Sequence, residues 1–312
     1  MARFARGAQP MKFRILIALL MITSLWSVTT TAEDTLYKPF VLASVSEGTL
    51  EDTTASTIKS LKGAGFEVAG QYSPVDGSNI IVVTNDALKV FAARSDRGGY
   101  AAGQRVSVTE ADGNIEVTFV NPVYIQYAYR IDGDMQPVLT SLTDALGMVR
   151  ECGGGDKKMT AKKLGKYHYM MGMQRFDDPS ELGSFDSHEA AVTAVEAGLA
   201  RPDDALTQVY RIDIPGAEQT VFGVGMRMTN EDEKDIDSAF QMDIVDFEGC
   251  KKRAYFPYEV LVTGNDVEAL HMRFRMAVHF PNLSMMGSHG FTKLISAPGA
   301  IEKALEAVVG SE

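Results

Sequence analysis

Two stretches of the chain carry the same alternation of apolar and polar positions. From Gly103 to Phe119 the pattern alternates, breaks at Asp112-Gly113 and resumes, which predicts a strand, a tight turn and a second strand. Pro257 to Phe274 has the same form around Gly264-Asn265. Thr109 and Thr263 close the first strand of each pair, 154 positions apart; Phe119 and Phe274 close the second, 155 apart. A repeat at that spacing predicts two copies of one small fold, and a scaffold that binds something between or across them.

The flanking patterns support the doubling. In the first copy, 33–150, Phe40 to Val45 reads as a strand. Thr49 then caps a helix with Leu50, Ile58 and Leu61 on one face, stopped by Gly63 and Gly65. Phe66 to Tyr72 and Asn79 to Thr84 are strands around a Pro74-Val-Asp-Gly77 turn, and Asp86 to Ala93 is a short helix. Beyond the hairpin, Tyr124 to Tyr129 extends the strand region after Asn121-Pro122, and Met135 to Val149 is the closing helix. A flexible charged linker, 151–166, opens with Glu151-Cys-Gly-Gly-Gly-Asp-Lys-Lys158. The second copy, 167–312, starts with a strand at Tyr167 to Gln174. A helix follows with Asp186 and Glu189 as a capping box, then strands Gln208 to Ile214 and Thr220 to Met228, and a last helix marked by Ile301, Leu305 and Val308. Pro74 and Pro215 are only 141 apart, so the second copy holds roughly a dozen extra residues, placed at an acidic insertion near 229–242 that reads as a solvated surface segment. The fold class is α+β: two tandem copies, each an antiparallel sheet with helices on one face.

The first residues read as a leader. Lys12 and Arg14 precede the apolar run Ile15 to Trp26, and Thr30-Thr31-Ala32 offers a cleavage site after Ala32. The run is short for a membrane span, so no anchor is expected after cleavage, and the start is either Met1 or Met11. The expected location is the periplasm or the exterior. The chain's 30 basic residues include four before residue 32 (Arg3, Arg6, Lys12, Arg14); that leaves 26 against 41 acidic residues, a formal charge of −15. Such a surface argues against a nucleic-acid partner, whose phosphates demand clustered Lys and Arg. The two cysteines, Cys152 and Cys250, are candidates for a disulfide in an oxidising compartment, with two free thiols as the alternative.

At the residue level, Gly65-Phe66, the Thr84-Asn-Asp-Ala-Leu-Lys stretch, the Glu110-Ala-Asp-Gly113 turn and the Asn121-Pro122 ending resemble the domain-of-unknown-function 302 family. The second copy resembles it loosely: it keeps Phe256-Pro257, has Tyr258 where the family often has Cys, and lacks the Asn-Pro ending. The resemblance implies a TBP-like β-α-β4-α fold for each copy, no established reaction and no functional residues to carry over.

Candidate chemistry collects in the second copy, which holds all five histidines, and eleven of the sixteen methionines lie from Met159 onward. Taken as a strand, Leu270 to Phe280 places Met272, Phe274, Met276 and Val278 on a core face. His271, Arg273, Arg275 and His279 then share an open sheet face. Those four residues suit an anion, while two arginines between two histidines repel a cation. Tyr167 and Tyr169 supply an amphipathic lining for a ligand. His168, Met170 and His289 form the alternative, a metal site with copper as the metal, since thioethers suit Cu(I) and imidazole Cu(II). No cofactor is otherwise expected. Gly-x-Ser-x-Gly, His-Glu-x-x-His and phosphate-cradling glycine loops are absent. The sequence therefore points to a non-enzymatic binding or accessory protein for a small, non-nucleic ligand. A metal- or redox-handling protein is the alternative, and a homodimer is left open.

Overall fold

The computed structural model describes residues 1–2, 35–202 and 205–310; the apolar stretch of the expected leader and its cleavage point lie outside them. The first half runs β1 (Phe40–Ser46), α1 (Leu50–Gly63), β2 (Glu67–Tyr72), β3 (Ser78–Thr84), α2 (Asp86–Arg94), a 3-10 turn (Gly98–Ala101), β4 (Gln104–Ala111), β5 (Asn114–Val120), α3 (Pro122–Ala128), α4 (Gln136–Leu146) and β6 (Arg150–Cys152). The second half runs α5 (Ala161–Leu164), β7 (Ser180–Ser184), α6 (His188–Leu199), β8 (Leu206–Ile214), β9 (Gln219–Met226), a 3-10 turn (Glu231–Ile236), α7 (Ser238–Val245) and a second 3-10 turn (Arg253–Tyr255). It ends with β10 (Tyr258–Thr263), β11 (Asp266–Ala269), α8 (Met272–His279), a 3-10 turn (Phe291–Leu294) and α9 (Ala297–Val309).

The protein is α+β. Each half builds its own antiparallel sheet, ordered β2-β3-β4-β5-β1-β6 and β8-β9-β10-β11-β7, so the first five positions of the two sheets correspond one to one. Register makes the match residue by residue. Val82 pairs with Arg105 and Gly223 with Glu259; Val106 pairs with Phe119 and Val260 with Ala269. The counterpart of Phe119 is therefore Ala269, not Phe274, because the β10–β11 hairpin is shorter than β4–β5.

Local chemistry explains most boundaries. Thr49 caps α1, its hydroxyl accepting the Asp52 N–H at 3.0 Å, and Asn85 caps α2 through the Leu88 N–H. Ser187, one residue past the expected Asp186, caps α6. Three expected strands are different structures. Asn121 accepts the Val123 and Tyr124 N–H groups and Pro122 occupies the first turn, so Tyr124 to Ala128 is helix α3 rather than strand. Likewise His271 caps α8, and Leu270 to Phe280 is not a strand. The alternation misleads there because α8 is buried nearly all round, so its sequence shows no helical apolar stripe. Tyr167 to Gln174 is irregular, and β7 begins only at Ser180. The acidic stretch after Thr229 is a 3-10 turn capped by Asn230, with Ile236 buried beneath it.

Helices α1 and α4 cover one face of the first sheet, α6 and α9 one face of the second. The opposite faces are covered by exchange. The Gly98–Ala101 turn of the first half sits on β9 and β10, where Gly99 N–H donates to Gln219 Oε1 at 2.9 Å and Gln219 Nε2 donates to Ser95 O at 3.2 Å. A Cβ on Gly99 would lie 2.4 Å from Leu261 Cδ1, so a side chain there would require Leu261 to shift. In return, the Arg253–Tyr255 turn of the second half sits on β3, β4 and β5, and Lys251 N–H donates to Glu116 Oε2 at 2.7 Å. The edge strands β2 and β8 meet at their bulges, Val68/Gly70 and Gln208/Tyr210, with Gly70 seated on the Val209 carbonyl. One hydrophobic core runs through both halves.

The segment expected as a flexible linker is anchored. Glu151 and Cys152 pair with β1, Thr160 caps α5, and Cys152 is disulfide-bonded to Cys250, Cα to Cα 6.4 Å. The bridge ties the β6 edge of the first sheet to the segment that carries the second half's exchanged turn.

Candidate functional site

The two sheets meet on a buried polar cluster. Arg105 enters from β4 and Glu259 from the corresponding place on β10; their side chains pair at 2.7 Å and are 3% and 1% exposed. Tyr210 from β8 donates its hydroxyl to the other carboxylate oxygen at 2.8 Å. Helix α8 adds Arg275 and His279. Arg275 Nη2 donates to the Tyr255 carbonyl at 2.7 Å and to the Pro257 carbonyl, and lies 3.6 Å from Glu259 Oε2. Its guanidinium rests on the faces of Tyr255 and Tyr258, 4.2 and 4.7 Å from the ring centroids. That placement accounts for Nη1 and Nε having no hydrogen-bond partner among the described residues, because ring quadrupoles stabilise the cation in their place. Burial opposes the Arg275 charge, but Tyr255, Glu259 and Tyr129 outweigh it and raise the pKa.

His279 has a fixed tautomer. The Arg275 carbonyl can only accept, so Nδ1 carries the proton at 2.8 Å, and Nε2 accepts from Arg105 Nη2 at 3.2 Å. Burial, then Arg105 and Arg275, hold the imidazole well below its ordinary pKa. Tyr129, the counterpart of His279 at the end of α3, faces it with centroids 6.4 Å apart, and burial pushes its hydroxyl up to about 12. Arg105, Glu259, Arg275 and His279 are all sealed from solvent, so the cluster fastens the halves together.

The ligand-accessible site lies beside this cluster. A cleft of about 320 Å³ opens where the halves meet, lined by Tyr72 and Pro74 from the first half and by Ala205, Thr207, Met226 and Arg227 from the second. Its walls are mostly apolar. Arg227 forms no ion pair among the described residues. Tyr72 is half-buried at the cleft. Its ring lines the cleft while its hydroxyl is sealed below, near Ser238 but outside good hydrogen-bonding geometry. Burial raises that hydroxyl well above the usual tyrosine pKa, against the pull of Arg275. Tyr72 thus lines the cleft while its buried hydroxyl lies within electrostatic reach of Arg275 and Arg105. A larger depression of about 430 Å³ beside α1 belongs to the first half alone, and one of its hydroxyls, Ser56, is spent on the Thr53 carbonyl of the same helix.

The residues singled out in the sequence are dispersed. His271, Arg273, Arg275 and His279 do not share an open sheet face. All four lie on or cap α8: Arg275 and His279 are fully buried, while His271 and Arg273 are half-buried at the helix start. Tyr167 and Tyr169 do line a pocket, with their hydroxyls donated to the Ala277 and Leu283 carbonyls at 3.0 and 2.8 Å. His168 and Met170 line the same pocket. His289 stands apart from them, stacked on Phe247 at 4.4 Å with Nδ1 on the Ile244 carbonyl. The sequence reading passed over Tyr72, Arg105, Glu259 and Arg227. Arg105 and Glu259 carried one usable signal: they are separated by the same 154 positions as Thr109 and Thr263.

No family model, curated protein or solved structure matches the chain.

Proposed function

We propose that the protein is an exported, non-enzymatic binding or accessory protein whose small ligand occupies the cleft between its halves. The observation that carries this reading is the cleft itself. It lies within the size range of small-molecule sites, about 300–1,000 Å³, and is lined from both copies of the fold. Its walls suit an apolar body, and Arg227 at its margin, without an ion pair among the described residues, suits an acidic end. The Cys152–Cys250 disulfide supports an oxidising compartment, and the acidic balance disfavours nucleic acid.

The test is titration with 1-anilinonaphthalene-8-sulfonate, an aromatic body with one sulfonate. The expected result is one saturable site, lost in Thr207→Trp and weakened in Arg227→Met. Thr207 is exposed, so a larger side chain there fills the cleft without disturbing the core. Equal binding by the wild type and Thr207→Trp overturns the assignment.

A further inference from the structure

The methionines of the second half do not all serve as core filler. Met170 is 46% exposed, Met171 94% and Met286 77%, and all three lie near His168 in sequence or in the adjoining 281–291 segment. A flexible thioether gains nothing from packing freedom when it stands in water. The structure also gathers sulfur on one spot. Met159, Met170 and Met285, from three separate segments, line a single pocket of about 320 Å³ together with His168. Met171 and Met173 line the adjoining pocket, which His168 also borders.

His168 is prepared as a ligand. Its Nδ1 lies 3.3 Å from the Lys166 carbonyl, which can only accept, so the proton sits on Nδ1 and the Nε2 lone pair is free. A ring N–H donated to a backbone carbonyl is the usual support of a metal-binding imidazole. The residues on either side hold this loop in place. Tyr167 and Tyr169 donate to the Ala277 and Leu283 carbonyls, and Tyr169 also stacks on Phe291 with centroids 5.6 Å apart. Those bonds fix the loop against the segment that carries Met285.

We propose that His168, Met170 and Met285, with Met159 beneath them, form a site for a soft monovalent cation, Cu(I). The donor chemistry selects the metal. Thioethers and one imidazole bring no negative charge, and Lys157 and Lys163 stand on the same rim. A hard divalent ion has nothing there to neutralise it, whereas Cu(I) is held by soft sulfur donors. No group of three or more His, Cys, Asp and Glu side chains able to hold a metal occurs among the described residues, so sulfur is the feature that sets this pocket apart. The site is separate from the Tyr72 cleft and does not depend on the function proposed there.

The experiment offers Cu(I) to the full-length protein from its bathocuproine disulfonate complex, anaerobically with ascorbate, and follows loss of the chelate colour. One equivalent should transfer. His168→Gln and Met170→Leu should each weaken binding at least about tenfold, since changes in the outer shell of metal sites already cost that much. Met148→Leu and His289→Gln should leave it unchanged, and Zn(II) should not compete. Thermal melts of the two site variants, whose changes lie on an accessible loop, establish that they are folded. Failure of Cu(I) to leave the chelator overturns the site, as does transfer that His168→Gln and Met170→Leu do not alter.

Discussion

Arg105 and Glu259 stand at corresponding register positions of the two sheets and are ion-paired to each other, Nη1 to Oε2 at 2.7 Å. Two identical copies could not make this contact, since each would present the same charge to its mate. Glu259 is the more heavily used member, because Arg275 also leans on it at 3.6 Å and Tyr210 donates to it.

That asymmetry orders two substitutions. Glu259→Gln leaves both Arg105 and Arg275 uncompensated in the interior and should cost about 3–5 kcal/mol. Arg105→Met leaves Glu259 still facing Arg275 and Tyr210 and should cost less. Urea denaturation of both variants measures the order, and a larger loss for Arg105→Met would refute it.

Stability should fall on mild acidification. The folded-state pKa of His279 lies well below its ordinary 6.5, so as pH drops through that value the unfolded chain takes up a proton that the folded chain refuses. The contribution is fully present above about pH 6.5 and is lost progressively below it. His279→Gln, able to hydrogen-bond in the same place, should flatten the stability profile between about pH 6.5 and 5. His271, shifted the same way by burial, keeps part of the slope. An identical slope in the variant would remove His279 as its source.

The Cys152–Cys250 bridge closes a sequence separation of 98 residues. In the chain-entropy account its loss should cost about 3–5 kcal/mol. Comparing Cys152→Ala/Cys250→Ala with the oxidised wild type by denaturant titration measures it. Equal midpoints would mean that β6 and the Arg253–Tyr255 turn hold each other without the bridge.

Gly70 tests the junction of the edge strands. A Cβ there would lie 2.2 Å from the Val209 carbonyl oxygen, and backbone must move to admit it. Gly70→Ala should destabilise by about 1–3 kcal/mol through overpacking. Gly63→Ala, where a Cβ meets nothing within 4 Å, is the control, and similar melts for the two would show that the junction yields freely.

The sequence displayed what short-range physics governs. The central hairpins alternate because one face of each strand carries apolar residues toward the helices and the other carries the polar and charged residues buried beneath the exchanged turns, and Thr49 and Asn85 announce helix starts by capping chemistry. Alternation failed at Leu270 to Phe280, where α8 is enclosed by both halves and its polar residues Arg275 and His279 are buried with the rest. It failed again at Tyr167 to Gln174, where the tyrosines face inward to reach carbonyls rather than to form a sheet. The pairing of His168 with Met170 survived because two neighbours on one loop stay together whatever the loop's conformation. His289 did not join them, since its position depends on Phe247, 42 residues earlier in the chain. The cleft was illegible for the same reason: Tyr72 and Arg227 meet only through the docking of β2 on β8.

The exchange of turns also bears on how the protein is made. A chain synthesised from its N-terminus completes β4 and β5 long before Lys251 to Tyr258 exist. Until then the buried face of the first sheet, with Ser107 and Thr118 fully enclosed in the finished protein, has no cover. The first half must wait, uncovered and open to mispairing, for a segment that comes near the end of the chain. Its hydroxyl-bearing strands, polar enough to tolerate water during that interval, are suited to the delay.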